Sequence, residues 1–408
     1  MLTLVAVAAV AAALVLETIR SHRRFFAAVS RSWWSKGLSE YPGVTVIRPI
    51  KGLDAGAREN VKAALEHGYP GKVETIFVFD GPDEPAIPIV RKVIDERRAG
   101  GFSDEARVIF SGQPPAGRTG KLNAMIAGLA HATHELIAFA DSDIRPDHRA
   151  LTALVETLLG DWHAGAAFAP VVVTEPPRTV GDAGYALMLN GLYGPAALDA
   201  ASRNRWELPF IMGQFMIFTR EAIHKICGLE SAEGQLVDDM YLGARVKAAG
   251  YRNLVSPHPV PIIQYGLTFG QFWKIYVRWI TFSRSFVAGV ELKRINYRRA
   301  GVYWAGLAGA IAAAAAGLYA PAALLFLAPL LVSWSILTLH NRLGGGKVPL
   351  HLSWFAFAVL LLGPLVLLST WRQKDVEWRG RVYKLGDDAR LQSGGALGVT
   401  ECPGREAV

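Results

Sequence analysis

Cysteine is scarce in this 408-residue chain, which contains two, Cys227 and Cys402. They lie far apart in the sequence and fit no metal-ligand spacing, so a zinc site built from paired cysteines is excluded. The glycine-rich fingerprint G-x-G-x-x-G and the P-loop are also absent from the sequence. A bound nucleotide would therefore be held by carboxylates and a metal ion more than by a cradle of glycine backbone.

Acidic residues are fewer than basic ones, 35 against 43, which gives a formal net charge of +8 and an isoelectric point near 9.4. This charge suits either nucleic acid or an anionic membrane surface. The apolar fraction of 51% favours the membrane, because the apolar residues are concentrated at the two ends of the chain. We therefore expect the lipid bilayer, and no nucleic acid, as a partner.

The N-terminal end begins with an almost uninterrupted apolar run, Leu2–Leu16, which is slightly shorter than the roughly 20 residues of a typical spanning helix. A signal peptide carries positive charge before its apolar run, whereas here Arg20, Arg23 and Arg24 follow it. Residues 1–19 therefore predict an uncleaved membrane anchor. By the positive-inside rule, the chain that follows stays in the cytoplasm.

The C-terminal end holds a longer apolar region. Residues 302–339, broken at Tyr319–Pro321, predict two helices, and Pro349–Leu368 predicts a third, so residues 300–371 are expected to be transmembrane. Residues 372–408 are expected to form a polar, partly disordered tail. One anchor and three further crossings would leave this tail outside, yet its basic residues favour the cytoplasm. A re-entrant segment and an external tail both remain open.

Between the two ends, residues 40–265 alternate strand-like and helix-like runs, which predicts an α/β domain with a mostly parallel sheet flanked by helices. The predicted strands of its first half are Val44–Ile50, Val73–Val78, Arg107–Phe110 and Leu136–Ala140. Residues 266–299 mix aromatic and basic side chains, a pattern typical of a helix that lies in the membrane interface.

Two aspartates, Asp141 and Asp143, end the fourth predicted strand. Residues two apart on a strand point to the same face, and open α/β sheets bind ligands beyond the carboxyl ends of their strands. Two carboxylates at this edge suit Mg²⁺ or Mn²⁺ shared with substrate phosphates. The same residues also suit an Asx turn with Asp143 as a helix cap. Asp238 and Asp239 likewise suit a helix N-terminus, where acidic residues complement the helix dipole.

Together these residues form an ordered set. Asp80 follows a strand, Asp141 and Asp143 follow another, Asp239 begins a helix, and Arg278-Trp279 lies in the aromatic-basic segment. This order resembles the inverting glycosyltransferases of the family-2 type, with their GT-A fold, and within them the ceramide glucosyltransferase-like branch. The other stretches that resemble this branch, or related bacterial membrane enzymes, are Ile47–Asp54, Asp80–Ala86, Gly120–Asn123 and Trp378–Tyr383.

The resemblance implies a role for each residue of the set. Asp80 would contact the uracil of a UDP-sugar, Asp141 would support the nucleotide site, and Asp143 would bind the metal that bridges the diphosphate. Asp239 would be the general base on the acceptor hydroxyl, with Asp238 as a supporting neighbour that raises its basicity. Lys121 and Arg278 would offset the diphosphate charge, and Trp279 would shape the acceptor side. One position departs from the Gln/Arg-x-x-Arg-Trp motif of the branch, because Ile275 stands where the motif has Gln or Arg.

The predicted activity is metal-dependent transfer of a sugar, with glucose as the first choice, from a UDP-sugar to a membrane lipid with inversion. A ceramide-like acceptor comes first, and a hopanoid or another bacterial lipid is close behind. Two different functions also stay open, a processive polysaccharide synthase and a non-enzymatic membrane scaffold with a degenerate transferase domain. The predicted location is a bacterial inner membrane, crossed several times, with the catalytic domain in the cytoplasm.

Overall fold

A seven-stranded sheet with helices on both faces forms the centre of the protein. The computed structural model describes residues 2–30, 37–101, 105–284, 290–372, 375–386 and 390–391. The strands of the main sheet are β1 Val44–Pro49, β2 Val73–Phe79, β3 Glu105–Phe110, β4 Leu136–Ala140, β5 Ala164–Phe168, β7 Phe215–Thr219 and β8 Arg252–Val255. Two short strands, β6 Val171–Val172 and β9 Val260–Pro261, form a separate parallel pair beside this sheet.

The order of the main sheet is β3-β2-β1-β4-β7-β5-β8. Strands β1 to β4 run parallel to one another, whereas β7 runs antiparallel to both of its neighbours, β4 and β5. This is the mostly parallel α/β sheet that the sequence predicts. Its central strands are buried along nearly their whole length, as expected for a sheet that is covered by helices on both faces.

Fifteen α-helices occur within the described residues. They are α1 Leu2–Ser30, α2 Ala57–Leu65, α3 Ile87–Ala99, α4 Gly120–His131, α5 Ala150–Leu159, α6 Val180–Met188, α7 Gly194–Arg203, α8 Arg220–Lys225, α9 Asp238–Ala248, α10 Phe269–Arg284, α11 Val290–Ala315, α12 Tyr319–Arg342, α13 Leu350–Ser353, α14 Phe355–Leu361 and α15 Gly363–Arg372. A π-helical turn, Leu189–Tyr193, joins α6 to α7.

Helices α1, α11 and α12 pack together at one end of the molecule. Their contact is made largely by small residues, including Ala11, Ala310 and Ala322, which let helix backbones approach closely. Helices α1 (Thr3–Ser30) and α12 are long and apolar enough to span a membrane, and the pair Leu350–Leu361 and Gly363–Thr370 would add a third span if its 50° bend is counted as one broken helix. Candidate membrane helices near both ends of the chain are thus confirmed.

The region between the sheet and the spanning helices differs in detail from the prediction of one interfacial helix over residues 266–299. Helix α10, Phe269–Arg284, packs against α6 and α15, and residues 290–299 belong to the start of α11. Residues 285–289 lie outside the described part. Helix α14 also contacts α6, so the apolar α13–α15 segment lies against the sheet-bearing domain as well as against α12.

The polar tail contains two strands that the sequence did not predict, β10 Asp375–Trp378 and β11 Arg381–Lys384. They form an antiparallel hairpin joined by Arg379 and Gly380, whose φ angles of 51° and 75° are both in the left-handed region. Such a two-residue turn matches the right-handed twist of a hairpin. The hairpin lies against the carboxyl edge of β1, β2 and β4, and residues 392–408 lie outside the described part of the chain.

Candidate active site

A cavity of about 300 Å³ opens at the carboxyl edge of the sheet. Its walls come from β1, β2, β4, the N-terminal turns of α4 and α9, helix α10, and the hairpin β10–β11. Every site residue that the sequence predicts lies in this wall, namely Asp80, Lys121, Asp141, Asp143, Asp238, Asp239, Arg278 and Trp279. The structure therefore brings together residues that are separated by up to about two hundred positions in the chain.

A buried arginine holds the backbone of the loop that follows β4. Arg48, which is 1% exposed, donates from Nη2 to the carbonyl oxygens of Asp141 at 2.8 Å and of Ile144 at 3.1 Å. The backbone N–H of Asp141 donates to the carbonyl of Gln214 at 2.8 Å. These bonds hold the backbone of the loop, so the two aspartate side chains remain available to the cavity.

Asp141 pairs with Lys121 at the first turn of α4. Lys121 Nζ lies 2.6 Å from Asp141 Oδ1 and also donates to the carbonyl of Gly213 at 2.9 Å. Burial alone would lower the pKa of Lys121, but the carboxylates of Asp141, Asp238 and Asp239 outweigh burial and raise it. Lys121 is therefore a permanent positive charge that links the two ends of the carboxylate set.

Asp143 has a carboxylate oxygen that is available to bind a ligand. Its Oδ1 is buried and has no hydrogen-bond partner, and its Oδ2 lies 3.6 Å from Arg379 Nη2 of the hairpin. Burial is the main cause that raises the pKa of Asp143 to about 7, and the like charge of Asp141 adds to it, while Arg379 opposes the shift. A buried oxygen without a partner costs free energy unless a donor or a cation satisfies it.

Asp80, at the end of β2, is held by two cations. Lys51 Nζ lies 2.9 Å and Arg381 Nη2 lies 2.8 Å from the same oxygen, Asp80 Oδ2. Lys51 also pairs with Glu84, and Arg381 donates to Gln113 Oε1 at 2.8 Å. Asp80 is 8% exposed, and its carboxylate is thus fixed in direction at the rim of the cavity.

Asp238 and Asp239 begin α9 on the opposite side of the cavity, and neither is paired with an arginine in the described structure. Asp239 Oδ2 accepts from the backbone N–H of Gly213 at 2.6 Å, and Asp238 Oδ2 accepts from the Thr119 hydroxyl at 3.2 Å. Burial is the largest cause that raises the pKa of both groups, to about 6 for Asp238, and Lys121 opposes it. Asp238 is 2% exposed, so Asp239 is the more accessible carboxylate.

Helix α10 supplies the wall that faces the membrane helices. Burial is the main cause that lowers the pKa of Arg278, and nearby Tyr185 and Asp143 oppose that shift. Trp279 packs edge-on against Tyr193 with ring centroids 5.6 Å apart. Ile275 lines the cavity at the position where the motif has Gln or Arg.

Lys274, the residue next to Ile275, does not take that place. Its side chain is exposed, and its Nζ lies 3.6 Å from Glu377 Oε2 of the hairpin.

Sequence reasoning missed the part of the wall that comes from the hairpin. Arg379 pairs with Asp54 and approaches Asp143, Arg381 pairs with Asp80, and the Tyr383 hydroxyl accepts from the backbone N–H of Gly120 at 3.2 Å. The resemblance of Trp378–Tyr383 to a tail motif was the available sign that the hairpin belongs to the site. That resemblance, however, implies no role for these residues.

The chain is similar in sequence to several curated glycosyltransferases. Ceramide glucosyltransferase 3 of Caenorhabditis elegans is 24% identical over 244 residues, which are 59% of this chain and 50% of that protein. The probable glycosyltransferase YdaM of Bacillus subtilis is 25% identical over 250 residues, 60% of this chain and 56% of that protein. The ceramide glucosyltransferase of Candida albicans is 25% identical over 240 residues, 57% of this chain and 39% of that protein. The chain thus spans about half the length, or less, of these curated relatives.

Among solved structures, the mannosyltransferase PcManGT of Pyrobaculum calidifontis, determined in complex with GDP-Man and Mn²⁺, superimposes with a TM-score of 0.50 at 20% identity. The match covers 86% of this chain and 98% of that one, and it shows the expected GT-A fold. The model of glycosyl transferase family 21 matches residues 2–391, nearly the whole length. The chain belongs to glycosyl transferase family 21.

Proposed function

We propose that the protein transfers a sugar, glucose as the first choice, from a UDP-sugar to the hydroxyl of a ceramide-like membrane lipid, with a divalent cation and with inversion. One observation carries this proposal. The same cavity is lined by the carboxylates Asp80, Asp141 and Asp143 and by the apolar side chains Leu189 and Trp279, and Asp239 lies in its wall. We infer a charged end and an apolar end, which would give a polar donor and a lipid acceptor separate places in one site.

The charged end suits a nucleoside diphosphate. Both cations on Asp80 approach Oδ2, and the other carboxylate oxygen would accept the N–H of a uracil ring. Lys121 and Arg278 would offset the charge of the diphosphate, and Asp141 would hold Lys121 in place at the 2.6 Å separation of their ion pair.

The donor set is compatible with Mg²⁺ or Mn²⁺. Asp143 Oδ1 is a buried carboxylate oxygen without a partner, and hard oxygen ligands suit these ions, which proteins usually bind through one or two carboxylates plus substrate phosphates. Within the described residues no cluster of three His, Cys, Asp or Glu side chains could hold a metal alone, so Asp143 would share the ion with the diphosphate. A bound cation would supply Lewis-acid stabilisation of the departing diphosphate.

Asp239 would carry the proton transfer. Its carboxylate would accept the proton of the acceptor hydroxyl as that oxygen attacks the anomeric carbon from the face opposite the diphosphate. The bond from the anomeric carbon to the diphosphate breaks, and its electron pair leaves with UDP. One displacement of this kind inverts the anomeric centre, and it requires no second carboxylate as a nucleophile.

The acceptor is proposed from the position of the apolar end. Tyr193, Ile275 and Trp279 line it, and α11 contributes Asn296 and Tyr297, so this end faces the helices that lie in the membrane. A lipid hydroxyl would reach Asp239 from the bilayer surface. The curated relatives named as ceramide glucosyltransferases support a ceramide-like acceptor, and a hopanoid or another bacterial lipid is the second candidate.

The hairpin also bears on the membrane topology. Because β10–β11 contacts the sheet edge, we expect residues 265 and 375 to lie on the same side of the bilayer, which requires an even number of crossings between them. We propose that the candidate span α12 crosses together with α11, which packs along it. The bent pair of α13–α15, with its 50° angle, would then enter and leave on one side. The catalytic domain and the hairpin would then both lie in the cytoplasm.

The test uses membranes that contain the protein, with Mg²⁺ and Mn²⁺, a panel of radiolabelled UDP-sugars, and a mixture of ceramides and hopanoids. We expect label in the organic phase, and its chromatographic position identifies donor and acceptor together. Label found only in insoluble polymer would favour a polysaccharide synthase instead. Absence of any transfer, with no binding of UDP, would favour a membrane scaffold without enzymatic activity.

A further inference from the structure

The tip of the hairpin β10–β11 places two arginines into the donor end of the cavity. Arg379 pairs with Asp54 and lies 3.6 Å from Asp143, while Arg381 lies 2.8 Å from Asp80. Each arginine therefore faces a carboxylate that the proposed function assigns to the nucleotide or its metal. These contacts join residues more than two hundred positions apart.

Arg379 has an unusual backbone conformation at the tip of the hairpin. Its φ of 51° lies in the left-handed region, where a residue with a β-carbon is roughly 1–2 kcal/mol less stable than glycine. Asn, Asp or Gly are the usual residues at this place in a two-residue turn. A strained arginine at a position that reaches both Asp54 and Asp143 indicates that its guanidinium has a function beyond closing the turn.

The hairpin arginines supply two of the positive charges that balance the carboxylates of the cavity. Five carboxylates and five cations line it, and two of the five cations, Arg379 and Arg381, come from the hairpin. Without them, the wall would hold five carboxylates against three cations and would repel a diphosphate. Arginine also fits phosphate well, because its planar fork donates two parallel hydrogen bonds.

The present contacts of Arg379 leave room for such a partner. Its distance of 3.6 Å from Asp143 is longer than a hydrogen bond, and its side chain is 36% exposed. Arg379 is held by its ion pair with Asp54, and Arg381 is held by Asp80. The Tyr383 hydroxyl anchors β11 to the backbone N–H of Gly120 at 3.2 Å. The hairpin is thus held in place along β11, and Arg379 would reach a bound anion by exchanging Asp54 for it.

We propose that the hairpin tip is a part of the donor site, in which Arg379 and Arg381 bind the diphosphate of the nucleotide, Arg379 by leaving Asp54. The inference rests on the proposed function, since it specifies which residues hold the donor. It also explains why a polar hairpin follows the last membrane segment and returns to the sheet edge.

The experiment measures binding of UDP and of uridine to the full-length protein in detergent by isothermal titration calorimetry at constant Mg²⁺. Arg379→Gln and Arg381→Gln are each expected to weaken UDP binding by about tenfold or more, because each removes a charge-assisted hydrogen bond. Uridine has no phosphate, so its dissociation constant should change by less than about twofold in Arg379→Gln, which is the variant that separates phosphate from base. Arg381 also holds Asp80, so Arg381→Gln is expected to weaken uridine binding as well, but less than UDP binding. Lys384→Gln is the matched control, because Lys384 lies on the same hairpin, is exposed and does not line the cavity.

A second variant separates phosphate binding from a purely structural ion pair. Asp54→Asn and Arg379→Gln break the same pair, and a structural role predicts that both shift UDP binding in one direction. The proposal predicts opposite shifts, because Asp54→Asn frees Arg379 and should tighten UDP binding by up to about fivefold, as expected for the loss of a partly exposed pair. Thermal unfolding of each variant shows whether the fold is retained.

The outcomes are distinguishable. Unchanged or tighter UDP binding in Arg379→Gln would overturn the inference and make the hairpin a plug over the site, with the proposed function intact. An equal loss for UDP and uridine would also overturn it, because the arginine would then act through the shape of the site. Failure of the wild-type protein to bind UDP would overturn the proposed function itself, and the inference with it.

Discussion

Two groups of carboxylates line one cavity and differ in their partners. At the proposed donor end, Asp80 and Asp143 face Lys51, Arg379 and Arg381. At the side of the cavity proposed for the acceptor, which we call the acceptor end, Asp239 accepts from a backbone N–H and Asp238 accepts from a hydroxyl. Lys121 stands between the two groups and is the cation whose charge acts on both. The chemistry of each end follows from this difference.

A neighbouring cation favours the ionised form of a carboxylate, whereas burial raises its pKa and so increases its tendency to accept a proton. The acceptor end therefore suits a general base, and the donor end suits binding of a cation and an anion together. Asp143 combines both features, because it is buried with a raised pKa of about 7 and still has an oxygen without a partner. A divalent cation would satisfy that oxygen and keep Asp143 ionised.

The largest effect is expected from Asp239→Asn. The amide retains the shape and the place of the side chain but cannot accept the proton, so kcat should fall by about 10²- to 10⁴-fold. UDP binding should stay within about twofold of wild type, because Asp239 belongs to the acceptor end. The rate of lipid glycosylation reports the loss of the base, and calorimetry reports the affinity for UDP. Strong residual turnover would remove Asp239 from the role of base.

The sequence predicted the meeting of these carboxylates in one cavity better than it predicted the elements around them. Asp80, Asp141 and Asp143 follow buried strands, and parallel strands bring their carboxyl ends to one edge, so their meeting could be read from local pattern. The hairpin could not, because β10 and β11 are short polar segments whose partners, Asp54 and Asp80, are about three hundred residues away. Nothing local specifies a contact at that separation.

The path of the backbone also depends on contacts that the local sequence does not specify. The antiparallel direction of β7 and the 50° bend between α14 and α15 depend on packing against distant elements. The hydrophobic run Pro349–Leu368 predicts an apolar helix, but its composition does not say whether that helix crosses the membrane or returns to the same face.

A second prediction tests the donor end. Asp143→Asn retains the size of the side chain but removes its charge, so binding of Mn²⁺ in the presence of UDP should weaken by about 100-fold or more. Electron paramagnetic resonance of free Mn²⁺ measures this without any turnover. Asp161→Asn, at a carboxylate outside the cavity that pairs with Arg252, is the control and should leave Mn²⁺ binding unchanged. Equal binding in both variants would place the metal elsewhere.

A third prediction uses pH to compare the two acceptor carboxylates. Burial first, and the like charge of Asp141, raise the pKa of Asp239 above its usual value of 3.8. The base works only when it is deprotonated, so kcat/KM should fall about tenfold per pH unit below that raised pKa. Asp238→Asn should move the inflection to lower pH, because it removes a neighbouring negative charge. An inflection that does not move would show that Asp238 has no electrostatic effect on the base.

The last two predictions concern two glycines that lie at opposite parts of the site, Gly213 beside Asp239 and Gly120 beside Arg381. A β-carbon on Gly213 would lie 2.5 Å from Asp239 Oδ2, and that carboxylate is already fixed by the Gly213 N–H at 2.6 Å. Gly213→Ala must therefore displace the base, and misplaced catalytic groups lower kcat by about 10- to 100-fold. Gly270→Ala is the control, because the space around Gly270 is open. A normal kcat in Gly213→Ala would show that the observed position of Asp239 is not the reactive one.

Gly120→Ala makes a similar collision at the donor end but should have the smallest effect of the series. The new β-carbon would lie 2.0 Å from Arg381 Nη1, which is the far end of a flexible side chain and can move aside. Gly120 is also the first residue of α4, where alanine favours the helix by up to about 1 kcal/mol. We expect kcat to stay within about twofold and the KM for the UDP-sugar to rise by about two- to fivefold, because Arg381 shifts away from Asp80. If kcat falls instead as far as in Gly213→Ala, the two ends of the cavity are coupled more strongly than their separate partners indicate. Lys121 would then be the residue that connects them, because it lies next to Gly120 and pairs with Asp141 at 2.6 Å.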